Sequence, residues 1–280
     1  MACAAAGLPH DSREMMPTPP LPFAVCRLAV VPVRRFADMV SEMTTQVRFG
    51  EGVEILHENR GLWQVRLLHD GYDGWVDSRQ FTAPQAAPPA AGRVLTAETV
   101  GWAACGLERR LLPSGTPLPE WRGGKFSIGG EIWEWTGAVH HLPAAPHWEQ
   151  LLAEAGRYLH APYFWGGRTL WGIDCSGLVQ TLLQHQGIGI QRDCITQVDE
   201  GTAVPSLPEA LPGDLAFFDG TRDGGRHVGL VLGGGEVLHS SGFVRVDALT
   251  ARGIVVRETG HLSHRLTALR RVTAWSRFGS

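Results

Sequence analysis

The sequence predicts an α+β domain preceded by two small all-β barrels, and three observations carry that prediction. Residues 24–84 read as short strands separated by turn chemistry, 83–92 form a Pro/Ala-rich linker, and near residue 146 a helical spacing of apolar residues replaces the strand pattern. With 280 residues and 44% hydrophobic content, the chain is long enough for two or three packed domains. The composition shifts divide it into an N-terminal extension 1–23, a barrel 24–84, a linker and second barrel 85–145, and the α+β domain 146–280.

In the first barrel "VEIL", "WQVRLL" and "GWVD" alternate or carry β-formers, while "ENRG" and "HDGYDG" supply the turns. In the second, "RRLLPSGTPLPEW" and "GGKFSIGGEIWEWTG" read as hairpin-like segments. A helix follows in "PHWEQLLAEAGRYLHA", with Leu151, Leu152, Ala155 and Leu159 at helical spacing and a stop before Pro162. A second helix is predicted in "CSGLVQTLLQHQG", where Leu178, Leu182 and His185 form a stripe widened by Val179 and Leu183, and Gly187 serves as C-cap. The segments "DLAFFD", "HVGLVLGGGEVLHSS", "FVRVDAL" and "RLTALRRVTAW" then read as strands of an antiparallel sheet.

Charge and cysteine usage narrow the functional classes. Lys plus Arg number 25 against 28 Asp plus Glu, without a long run of one sign, which argues against nucleic acid and anionic membrane as partners. The five cysteines (Cys3, Cys26, Cys105, Cys175, Cys194) are an odd number without metal-ligand spacing, so neither a disulfide scaffold nor a metal cofactor is expected. The first residues lack the layout of a secretory signal, and no stretch reaches the ~18 apolar residues of a membrane span. A reduced, cytoplasmic protein is the expectation; the oligomeric state is left open.

Cys175 is the focal residue. It stands between Asp174 and Ser176 where a loop becomes a helix, so unpaired N–H groups and the positive end of the helix dipole favour its thiolate. The alternative is a small buried hydrophobe. A candidate base is supplied by "RHVGLVLGGGEVLHSS". If Gly233, Gly234 and Gly235 form a three-residue loop, Leu232 opposes Glu236 and His239 faces Gly229, which puts His227 and His239 on one face as diagonal neighbours. A two-residue loop would break this parity. His227 is then the base and His239 the group that orients it. His10, His57, His69, His140, His141, His147, His160, His185, His261 and His264 are read as surface or packing residues without an acid or cysteine cluster around them.

The strings "APYFWGG", "GIDCSGLVQ", "GIGIQRDCITQ", "LPGDLAFFD", "RHVGLVLGGG" and "VLHSSG" together resemble the NlpC family of papain-like bacterial cell-wall cysteine peptidases, in family order. Upstream, "SEMTTQVRFGEGVEIL" and "GYDGWVDSRQF" resemble the bacterial SH3-like domain that precedes the peptidase in gamma-D-glutamyl-L-diamino-acid endopeptidases. The resemblance implies a papain-like domain behind two SH3-like barrels. It also implies hydrolysis of the gamma-D-Glu to diamino acid bond in peptidoglycan-derived peptides with a free N-terminal L-Ala, a murein-recycling reaction. Carried over, Cys175 is the nucleophile of a thioester mechanism, His227 the base and His239 the third, polar member. Tyr163 contacts substrate or oxyanion. Glu42, with Glu51 as the alternative, joins Tyr72 and Asp174 around the substrate ammonium, with Ser176 nearby, and Cys194 stands where the family often has serine. Two other readings are a secreted hydrolase of intact wall and a non-catalytic wall-peptide-binding module.

Overall fold

The computed structural model describes residues 23–220 and 226–272; Cys3, the rest of the extension through residue 22 and the end of "RLTALRRVTAW" beyond residue 272 lie outside them. Six strands open the chain: β1 (Phe23–Val25), β2 (Val30–Arg34), β3 (Met43–Arg48), β4 (Gly52–Asn59), β5 (Leu62–Leu67) and β6 (Asp73–Asp77). They pair antiparallel in the order β1-β4-β5-β6-β2-β3. Alternation sends Val53, Ile55, Trp63, Val65 and Leu67 into one core, as the strand pattern predicts.

The next six strands are β7 (Val94–Thr96), β8 (Val100–Cys105), β9 (Glu108–Pro113), β10 (Lys125–Ile128), β11 (Glu131–Trp135) and β12 (Val139–His141). Of the two hairpin-like segments, only the second is a hairpin: β10 and β11 pair through Gly129 and Gly130, both at positive φ. The first is not, because β9 pairs backward with β8 and residues 114–119 after it run buried, with Leu118 in the core. That core is not self-sufficient. Phe49 of the first barrel packs edge-on against Phe126 and Trp133, with ring centroids 6.0 and 5.0 Å away, and Val25 joins the same cluster.

The remaining elements are α1 (Trp148–Tyr158), β13 (Arg168–Thr169), β14 (Gly172–Ile173), α2 (Cys175–Gln184), α3 (Cys194–Gln197), β15 (Thr202–Ala203), β16 (Leu215–Gly220), β17 (Arg226–Gly233), β18 (Glu236–Ser241), β19 (Phe243–Thr250), β20 (Gly253–Val256) and β21 (His261–Arg271). Strand β20, unrecognised in the sequence, pairs with both β19 and β21, so β16 to β21 close into a six-stranded ring. One face of this sheet, with Phe217, Val228, Leu230 and Leu238, packs on the helices. The other, with Phe218, Val231, Val237 and Leu249, fills the ring's interior.

Helix α1 buries a different stripe from the one expected. Leu151, Ala155 and Tyr158 face the core with Glu154, whereas Leu152 and Leu159 are exposed. The charged Glu154 is tolerated because Arg157 and the buried His185 ring both meet its carboxylate. Helix α2 is buried over residues 175–183, and Gly187 at φ 72° accompanies its end as a C-terminal turn.

The first barrel docks on the α2 side through buried polar contacts. Arg168, fully enclosed, donates to the carboxylate of Glu51 at 3.0 and 3.2 Å and to the Gln46 carbonyl at 2.7 Å. Arg48 meets the same carboxylate, and Gln184 accepts from both arginines. Two cations on one buried anion, each with further acceptors, satisfy the desolvated charge. Glu51 is therefore a strut between the first barrel and the α+β domain, with both oxygens engaged by arginine.

Candidate active site

Strand pairing sets the histidines. The register places Gly229 opposite His239, as expected, by a route the sequence does not show. The β17–β18 loop has two residues, since Gly233 pairs with Glu236, and a bulge between Val231 and Gly233 restores the parity that so short a loop would break. Gly233, Gly234 and Gly235 all take positive φ, which is why this compact turn needs three glycines. Gly229 is required by packing as well: a Cβ there would lie 2.6 Å from Val237 Cγ2 and 3.0 Å from the Leu238 carbonyl oxygen.

His227 Nε2 lies 2.9 Å from His239 Nδ1, and His239 Nε2 lies 3.1 Å from Asp247 Oδ2. Cys175, the first residue of α2, hydrogen-bonds the His227 ring. The structure thus brings Cys175, His227 and His239 together, each less than a tenth exposed.

Asp174 caps α2. Its Oδ1 accepts from the Gly177 N–H at 2.7 Å, its Oδ2 from the Gly166 N–H at 2.8 Å, and Arg192 donates to both oxygens at 3.0 and 2.6 Å. Ser176 is drawn into the same cluster, accepting from Arg192 at 2.9 Å. These two residues, expected beside a substrate ammonium, form a saturated strut under the helix start. Arg192 extends it to the first barrel by donating to Thr45 Oγ1 at 2.8 Å.

The half-buried Tyr72 hydroxyl donates to Asp193 Oδ2 at 3.3 Å, and the exposed Glu42 accepts from Trp165 Nε1 at 2.7 Å and from Arg35. Asp193, which the sequence reading passed over, is the half-buried carboxylate here; burial raises its pKa against the pull of Arg192. Arg35 and the Trp165 indole hold the Glu42 carboxyl low. Tyr163 is pushed up by burial and by its neighbours Cys175 and Asp174, so its hydroxyl is a neutral donor.

Residues 160–262 match the NlpC/P60 family, and residues 33–81 match the bacterial dipeptidyl-peptidase Sh3 domain. The chain carries an NlpC/P60 domain. A gamma-D-glutamyl-L-lysine dipeptidyl-peptidase of Bacillus subtilis (strain 168) is 39% identical over 94 residues, 33% of this chain and 31% of that protein. One of Bacillus cereus (strain ATCC 10987 / NRS 248), with the same printed name, is 26% identical over 228 residues, 71% of this chain and 68% of that protein. The chain thus matches less than a third of the first relative's length and about two thirds of the second's. The crystal structure of an NlpC/P60 family protein from Bacillus cereus ATCC 10987 superposes with a TM-score of 0.74 at 19% identity, over 89% of this chain and 99% of that one, and shares the fold.

Within the NlpC/P60 domain, two effects oppose the thiolate that the helix tip favours. The hydrogen bond to the Cys194 sulfur and burial both push the Cys175 thiol up, and burial pushes the His227 imidazole down. The helix tip and the His227 contact favour the thiolate, whereas enclosure by protein penalises both ions of a Cys–His pair. Cys194 shifts down through the same sulfur contact.

Two further residues adjoin the histidine pair. Asp247 sits on β19, whose register puts Arg245 opposite His239, so alternation alone brings residue 247 to the histidine face. His264, set aside as a packing residue, stacks on His227 at 4.4 Å between centroids. His69 and His185, also set aside, lie 3.1 Å from Asp70 and 3.2 Å from Glu154.

Proposed function

We propose that the chain is a cysteine endopeptidase that hydrolyses the gamma-D-Glu to diamino acid bond of short peptidoglycan-derived peptides bearing a free N-terminal L-Ala. The observation that carries this reading is the docking of the first barrel. It stations Glu42 and Tyr72 beside Asp193, the residue preceding Cys194, whose sulfur touches Cys175. Two carboxylates and a tyrosine hydroxyl gathered beside the segment that contacts the nucleophile are suited to an ammonium and unsuited to an acylated amine. The names of the two dipeptidyl-peptidase relatives agree with it.

In this reading His227 takes the Cys175 proton as sulfur attacks the gamma-carboxamide carbon. The Cys175 N–H and the Tyr163 hydroxyl receive the oxyanion, and His227 returns the proton to the departing amine. Water, deprotonated by the same ring, then cleaves the thioester. General acid–base help is worth ~10² to 10⁴ in rate and an oxyanion donor ~10² to 10³, so Cys175→Ala removes turnover while peptide binding persists.

The test is mass spectrometry of products from L-Ala-gamma-D-Glu-diaminopimelate, from its N-acetyl form and from intact sacculi. Cleavage confined to the free-amine peptide is expected. Equal cleavage of the acetylated peptide overturns the amine recess, and release from sacculi alone shifts the reading to a secreted wall hydrolase.

A further inference from the structure

We propose that Asp247 is a positioning residue that fixes the protons of the His239–His227 pair, so that the lone pair of His227 Nδ1 is the one presented to Cys175. The inference rests on the peptidase reading for its consequence, but the proton placement follows from geometry.

Asp247 is fully buried, and every partner on it is a donor. Oδ1 accepts from Arg245 Nη2 at 2.9 Å and from the Arg257 N–H at 3.0 Å; Oδ2 faces Arg245 Nε at 2.8 Å and His239 Nε2 at 3.1 Å. An ionised carboxylate has no proton to give, so the hydrogen between Oδ2 and His239 belongs to Nε2. A neutral His239 then carries a lone pair on Nδ1. His227 Nε2, 2.9 Å from that atom, must be its donor, which leaves Nδ1 of a neutral His227 unprotonated.

The arrangement works in both states of the reaction. When the Cys175 proton moves to His227 Nδ1, the imidazolium keeps its Nε2–H on His239, and no other hydrogen changes place. With the opposite tautomers, the His239 Nε2 lone pair would face the carboxylate, and His227 would present N–H to the thiol and could not accept its proton. The other groups near the pair are His264, stacked on His227; Cys194, against Cys175; and Glu258, which shares Arg245 with Asp247. Arg245 balances the Asp247 charge, so the carboxylate orders the rings without becoming an unpaired buried anion.

The test is ¹⁵N NMR of histidine-labelled protein, about 1.5 pH units above the ordinary imidazole pKa of ~6.5, together with kinetics on the free-amine peptide. His227 and His239 should both be Nε2–H in the unmodified protein. In Asp247→Asn the single amide oxygen cannot serve both donor sets; with it turned to Arg257, the amide N–H faces His239 and both rings change tautomer. kcat should then fall about 10²-fold with KM nearly unchanged, by analogy with loss of a triad acid one ring nearer the nucleophile, and Asp247→Glu should recover much of the rate. A His239 protonated on Nδ1 in the unmodified protein overturns the proposal and needs no variant. So does an Asp247→Asn protein with unchanged tautomers or unchanged kcat. Correct tautomers in a protein that leaves the free-amine peptide uncut would sink the substrate reading and uphold the proton assignment.

Discussion

Nη2 of Arg192 stands 2.6 Å from Oδ2 of Asp174, with both side chains nearly sealed from solvent. The pair ties the cap of α2 to Thr45 of the first barrel, so the helix that presents Cys175 is anchored across a domain junction.

Breaking that pair from one side should be costly. Arg192→Met leaves Asp174 a buried carboxylate with two backbone N–H donors and the Ser176 hydroxyl but no cation, and should lower stability by about 3–5 kcal/mol, measured by urea unfolding. Adding Asp174→Asn should recover part of the loss, since the uncompensated charge is then gone; no recovery would contradict this account.

The two neighbouring thiols should differ in reactivity. Because the Cys194 contact and burial raise Cys175 while the same contact lowers Cys194, iodoacetamide should modify Cys194 at lower pH than Cys175. Cys194→Ser should move Cys175 labelling to lower pH. Peptide mapping across a pH series checks both, and earlier labelling of Cys175 in the unmodified protein would show that the ion pair prevails at rest.

Acid should loosen the first barrel's grip on α2 through Asp70, which accepts from Gln180 at 2.9 Å. Against the upward push of burial, its contact with His69 brings its carboxyl down to about 2, below the ~3.9 of an unfolded chain. The folded state therefore binds the proton less readily. The stabilisation is complete above about pH 5 and is lost as pH falls through 2, amounting to about 2–3 kcal/mol. Asp70→Asn should flatten that part of the stability profile in unfolding titrations.

Crowding at Gly229 should be felt at the histidines. Gly229→Ala drives a methyl group onto Val237 and the Leu238 carbonyl, costing about 1–3 kcal/mol and displacing His239. Thermal melts and kcat should fall together; a stable variant with full activity would show that the strand pair yields there.

What was legible in the sequence was what short-range periodicity encodes. The helix start at Cys175 and the facing of Gly229 and His239 follow from alternation and a Gly-rich turn, though the actual turn is a shorter loop plus a bulge. Asp247 was within reach of the same rule on the next strand. His264 was not, because it reaches His227 through β21 and β16, whose pairing shifts register at Phe217 and Phe218. Nor was the union of Glu51 with Arg168, 117 positions apart, which depends on two domains meeting. The enclosure of Cys175 was not legible either, because a helix tip is visible in sequence and burial is not.

Phe49 lies inside the neighbouring barrel's core although the chain reaches it before that barrel begins. Modular exchange is constrained accordingly: a graft that keeps residues 93–142 but replaces the turn bearing Phe49, just after β3, must supply an aromatic plug of matching size, or the recipient inherits an unfilled hole between Phe126 and Trp133.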